Sequence, residues 1–140
     1  MRVRQRYSLF VVVAVLAVLG TTLAVNAASA GATLKIEPTA TLANPPQSII
    51  VNLDYSCLPS AFSFGDVQVD QSQPGTAASP GRVDIQGFGF FQPTCDDKTH
   101  HASVIVTAFN GSFIRGSAGA SAFVGAGAVF AQASSEISIR

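Results

Sequence analysis

No tryptophan occurs in this sequence, cysteine is limited to Cys57 and Cys95, and histidine to His100 and His101. Each scarcity removes a chemistry. Without a Cys-x-x-Cys pair or a second group of cysteines and histidines, neither a structural zinc set nor a dithiol redox motif can be assembled. The two histidines are adjacent, and adjacent residues of a strand point to opposite faces, so they do not converge on one ion. Asp96 and Asp97 lack the further oxygen ligands that an EF-hand spacing would bring to calcium. Serines are plentiful, yet no Gly-x-Ser-x-Gly elbow is present and neither histidine has an evident orienting partner. Basic residues past the amino terminus, Lys35, Arg82, Lys98, Arg115 and Arg140, stand singly. That pattern provides no basic face for nucleic acid and no polybasic patch for a membrane. The sequence therefore predicts no catalytic residue, no metal site, no cofactor and no nucleic-acid partner.

The remaining basic residues sit together at the start. Arg2, Arg4 and Arg6 precede the apolar run Leu9 to Leu19, and Ala28-Ser29-Ala30 supplies the small residues a signal peptidase needs. This is the layout of a secretory signal over residues 1–30, cleaved after Ala30, with residues 31–140 as a single domain. The apolar run falls short of the about 20 residues that cross a bilayer, so no stable membrane insertion is expected after cleavage. Three of the eight basic residues leave with the signal while all eight acidic residues stay, which makes the mature chain mildly acidic.

Export permits a disulfide, and Cys57 with Cys95 is the one pair available. Closing that loop removes unfolded-chain entropy worth about 4 kcal/mol in a chain-entropy model, a large share of the about 5–15 kcal/mol that stabilises an ordinary domain. Short alternating runs separated by proline, glycine and asparagine predict an all-β domain. A strand over Thr33 to Glu37 is ended by Pro38. The clearest run follows, with Ile49, Val51, Leu53, Tyr55 and Cys57 on one face. Phe62 to Asp70 forms a third strand, and Gln71 to Gly81 a surface loop carrying Pro74-Gly75 and Pro80-Gly81. Val83, Ile85, Gly87, Gly89 and Phe91 share a face of the fourth. Val104 to Phe109 makes the fifth, Asn110-Gly111 signals a hairpin, and strands over Ala118 to Val124 and Phe130 to Ile139 complete the set. Interior glycines argue against reading the Ala/Gly tract from Gly116 to Ala128 as a helix. Seven strands at this spacing predict an immunoglobulin-like antiparallel β-sandwich, although the tryptophan and the cysteine spacing of antibody domains are missing.

The run Gly87-Phe88-Gly89-Phe90-Phe91 has two readings. Glycines beside rings let the rings lie over neighbouring backbone or mark a bulge, which would place the run in the core or at a sheet edge. Alternatively Phe88, Phe90, Phe91 and Phe109 wall a site for an apolar ligand. Asp54, Asp66, Asp70 and Asp84 are ordinary exposed strand residues unless the fold gathers two of them for glycoside chemistry.

Three stretches together carry a resemblance. Tyr55-Ser56-Cys57 ends an alternating strand, Cys95-Asp96-Asp97-Lys98-Thr99-His100 follows a glycine-rich strand, and Phe113-x-x-Gly116-x-Ala118-x-Ala120 lies near the carboxyl terminus. They resemble a family of secreted actinobacterial proteins known only as a domain of unknown function. The resemblance implies an exported single-disulfide β domain and brings no catalytic residues. Asp97 stands where such sequences tend to have glycine, which leaves the geometry of that turn open. In size and in Ala/Gly/Ser content the chain is also similar to the enediyne-carrying apoproteins, which hold an apolar chromophore but use two disulfides.

The expected function is a secreted, non-enzymatic binding or cell-envelope interaction module with an envelope or extracellular partner. A carrier of an apolar small molecule is the alternative, and a secreted hydrolase the third reading.

Overall fold

The computed structural model describes residues 27–140, so the signal-peptide expectation falls outside the described residues except for its last four. Eight strands run in the order β1 (Ala27–Ala28), β2 (Ala32–Leu42), β3 (Ser48–Cys57), β4 (Ser63–Pro74), β5 (Arg82–Phe91), β6 (His100–Ala108), β7 (Gly116–Ala126) and β8 (Val129–Ile139). Among the described residues there is no helix. The all-strand expectation holds, and the sandwich does not. Strand neighbours run β8-β2-β3-β6-β5-β4-β7, and β7 pairs again with β8, so seven strands close into a barrel. The two-residue β1 lies on β8, with Ala27 opposite Gln132 and Ala28 opposite Ala131.

Two short seams replace the gaps that a pair of open sheets would leave. At one, Thr39 and Ala40 of β2 pair in parallel with Ser138 and Ile139 of β8. The Arg140 amide also donates to the Ala40 carbonyl, and the Leu42 amide to that of Arg140. Strand β2 reaches β8 because it does not stop at Pro38. Ile36 pairs with Leu53 and Ala40 with Val51, so β2 spends four residues where β3 spends two. This bulge carries the proline and swings the strand while keeping Ile36 and Ala40 both inward. At the other seam, Gly87 and Phe88 of β5 pair with Ala108 and Thr107 of β6. Gly87 and Gly89 face inward there, and a β-carbon on either would collide with the β6 backbone, at the Thr107 and Ile105 carbonyls respectively. Glycine is what lets these strands touch, while Phe88 and Phe90 between and beside the glycines face solvent and not the core.

The core follows the alternation of β3. Ile49, Val51, Leu53, Tyr55 and Cys57 are all buried, facing Val67 and Val69 of β4, Val104 and Val106 of β6 and Ile137 and Ile139 of β8. Strand β7 contributes Ala118, Ala120 and Ala122 to the same core, small residues that suit a narrow interior. Burying each larger aliphatic contributes about 1.5–3 kcal/mol before conformational entropy is counted. The Cys57–Cys95 disulfide forms across a separation of 38 residues, beside a second buried cluster of Ala32, Tyr55, Val124, Ala126 and Ala131.

Two local expectations also fail. The segment from Gln71 begins as strand, because β4 stays paired with β5 as far as Pro74 opposite Arg82. Gln71 is buried, donates to the Ile114 carbonyl at 2.8 Å and accepts from the Ile114 amide at 3.0 Å. Asn110-Gly111 makes no hairpin, since β6 pairs with β3 and β5 whereas β7 pairs with β4 and β8. The Asn110 side chain instead prolongs the β5–β6 seam, accepting from the Gln86 amide and donating to the Asp84 carbonyl. The tight hairpin lies at Gly127-Ala128, between Ala126 and its partner Val129. Gly127 takes φ 62° there, as the first position of a II′ turn requires.

Candidate binding faces of the barrel

The parity that packs the core also sets what faces out. On β5 and β6, Phe88, Phe90 and Ile105 point to solvent, as does Phe109 just past the end of β6, with Phe90 78% and Phe109 62% exposed. Phe88 and Phe109 stack, their centroids 5.8 Å apart. Phe91 has the opposite parity and turns inward against Tyr55, at 5.4 Å. Three of the four proposed wall residues are therefore brought to one outer face, and the fourth belongs to the packed interior.

A second group of rings lies on β4, β7 and β8, with Phe62 in the segment just before β4. Phe62 and Phe64 are 6.1 Å apart, Phe64 and Phe123 5.1 Å, and Phe123 and Phe130 6.2 Å, making one continuous row. Gly125 has no side chain because the ring of Phe123 occupies that space, with its edge 2.8 Å from where a β-carbon would sit. Phe64, Phe123 and Phe130, with Gly125, Gly127 and Ala128, line an open groove of about 440 Å³. Sequence reasoning passed over this row. The signal was parity, since Phe64 falls in step with Asp66 and Gln68 while the buried Val67 and Val69 fall between them.

Asp66 joins the two aromatic areas. It pairs with Phe90 on β5 and with Phe123 on β7, and Phe123 pairs in turn with Gln132 on β8. Partial burial in this position lifts its carboxyl above the ordinary value of 3.8. A shallow pocket beside it is lined by Asp66, Ser121, Gln132 and Ser134. Rings, a carboxylate, an amide and hydroxyls thus alternate across neighbouring strands. The outward residues of β4, β7 and β8 include Asp66, Asp70 and Glu136 and no lysine or arginine.

The other carboxylates do not gather around Asp66. Asp70 is four residues along the same strand, about 13 Å away at the rise of an extended chain. Asp84 is a diagonal neighbour of Asp70 on β5, where Asp70 pairs with Gln86, and both are exposed. Asp54 is on β3, opposite His101.

The histidines diverge, as their adjacency requires. His100 Nε2 meets Asp96 Oδ1 at 2.7 Å, and this hydrogen bond holds the Asp96 carboxyl below its usual value. His101 Nδ1 meets Asp54 Oδ1 at 3.0 Å, a bond that raises the imidazole above its usual value.

At the stapled end, the Tyr55 hydroxyl accepts from the Thr94 amide at 2.9 Å. The Asp97 amide donates to the Cys57 carbonyl, and Asp97 takes φ 64°, a left-handed conformation that glycine adopts freely. In comparison with known proteins, no protein-family model and no curated protein matches the chain.

Proposed function

We propose that the protein is an exported, non-enzymatic binding module whose ligand is a neutral glycan strand, held along the outer face of β4, β7 and β8. The observation that carries this reading is the row Phe62, Phe64, Phe123 and Phe130, set beside Asp66, Ser121, Gln132 and Ser134. Sugar rings present apolar C–H faces and polar edges together. A surface that alternates phenyl rings with an amide, hydroxyls and a carboxylate complements both. Strands β4, β7 and β8 carry no lysine or arginine of their own, and Arg82 of β5 reaches β4 only at Ser72, away from the row, which disfavours an anionic polymer. The Cys57–Cys95 disulfide and the amino-terminal signal pattern support an extracellular setting.

The test is retention of the purified protein on cellulose, chitin and β-1,3-glucan, with Phe123→Ser and Phe88→Ala variants alongside. The reading expects retention on at least one polymer that Phe123→Ser loses and Phe88→Ala keeps. No retention on any, or equal retention by Phe123→Ser, removes it.

The groove between Phe64, Phe123 and Phe130 supports a second reading, carriage of an apolar small molecule, because its about 440 Å³ falls within the usual range of ligand sites. A carrier copurifies with an organic ligand and is thermally stabilised by it. A glycan binder lacks that cargo.

A further inference from the structure

Away from the aromatic row, on the outer face of β2, β3 and β6, three side chains from three strands converge. His101 Nδ1 lies 3.0 Å from Asp54 Oδ1 and 3.8 Å from Glu37 Oε1. One donor atom from each residue falls within 4.8 Å of the other two. We propose that Glu37, Asp54 and His101 form a binding site for a zinc-class divalent cation.

The geometry suits that ion. With donors about 2.0–2.1 Å from zinc at tetrahedral angles, neighbouring donors sit about 3.4 Å apart. The His101–Asp54 and His101–Glu37 separations fall on either side of that value, and the third, within 4.8 Å, closes by rotation of the part-exposed Glu37 and Asp54 side chains. One imidazole nitrogen with two carboxylate oxygens is a set for zinc, manganese or iron, whereas calcium and magnesium favour oxygen alone. Three protein donors leave a position open for water or a ligand, as the part-exposure of all three side chains requires.

The fold places each donor for a separate reason. Asp54 and His101 are directly paired across β3 and β6. Glu37 belongs to the bulge in β2, between Ile36 opposite Leu53 and Ala40 opposite Val51. A regular β2 would leave it elsewhere on the ladder, and bulges commonly re-aim a side chain in this way. Lys35 pairs with Asp54 across β2 and β3, but no ion pair of Lys35 is seen among the described residues. His100 points away to Asp96 and takes no part.

With only two histidines in the chain, the wild-type protein reports on the site directly. Zinc is titrated into the purified protein while the imidazole signals are followed by NMR and the stoichiometry by calorimetry. The proposal expects one ion per chain and a shift of the His101 signals with those of His100 unmoved. His101→Gln and Asp54→Asn should each weaken zinc binding beyond the about 10–100-fold that follows loss of a partner merely supporting a ligand. His100→Gln should bind as wild type. The proposal is overturned if zinc fails to bind, if the His100 signals move instead, if calcium is preferred to zinc, or if His101→Gln binds unchanged.

Discussion

Phe113 fills the space that a side chain at Gly87 would need. A β-carbon on Gly87 would lie 2.8 Å from Phe113 Cζ and 2.8 Å from the Thr107 carbonyl oxygen. Phe113 is among the largest fully buried side chains, and its amide donates to the Pro46 carbonyl. Gly87→Ala should therefore destabilise by about 1–3 kcal/mol through overpacking, and Phe113→Ala by about 3–5 kcal/mol through the cavity it leaves. In the double variant the new methyl enters the vacated volume, so its loss should be smaller than the two added together. Urea unfolding of the three variants checks this, and strict additivity would contradict it.

Reduction of the Cys57–Cys95 bridge, or its replacement by Cys57→Ser with Cys95→Ser, should lower stability by about 2–4 kcal/mol. The bridge ties the end of β3 to the segment after β5. The Tyr55–Thr94 and Asp97–Cys57 hydrogen bonds should survive its loss and keep the reduced protein folded at room temperature. Denaturation midpoints with and without reductant measure the difference, and near-UV dichroism follows Tyr55.

Gln71→Leu should destabilise by about 1–3 kcal/mol despite its greater hydrophobicity. It strips the Ile114 amide and carbonyl and the Gln73 amide of a partner in a buried place. A stabilised variant would show that these groups find water instead.

Asp97→Val should lose about 1–2 kcal/mol because a β-branched residue is strained at positive φ. Asp97→Gly should be close to neutral or gain slightly. Equal losses for both would mean that the Asp97 side chain, and not its backbone, sets the turn.

Asp66 supplies a pH prediction. Its folded-state carboxyl titrates above the ordinary value because partial burial disfavours the anion. A raised folded pKa favours the protonated fold, so this contribution is complete at acid pH and is lost as pH rises through the folded value. Asp66→Asn should accordingly be more stable than wild type at neutral pH, with the advantage shrinking towards zero below pH 4 or so. Thermal scans across pH test the sign.

How far the sequence could be read depended on whether a residue's neighbour was local. Ile49 to Cys57 alternates without interruption and packs as read, inward residue by inward residue. Val104 and Val106 do the same. Barrel closure was not legible, because it depends on the β2 bulge around Pro38 and on seams between strands far apart in the chain. The Asn110-Gly111 pair carried a hairpin signal, but its side chain found β5 before a turn could return the chain. The aromatic row was hidden for another reason. Phe64, Phe123 and Phe130 come from three strands and Phe62 from the segment before β4, and only the register of β4, β7 and β8 brings them together. Glu37 alternates outward in the sequence, but nothing local told that two strand pairings would bring Asp54 and His101 beside it.

Closure itself has a consequence for how one copy meets another. The circle of strands is completed by two residue pairs between β2 and β8 and two between β5 and β6, reinforced by Arg140 at one place and Asn110 at the other. Parting either would turn an edgeless surface into a ribbon with two raw margins, each able to recruit a strand from another copy. Those few contacts guard against self-association more than they add to thermodynamic stability.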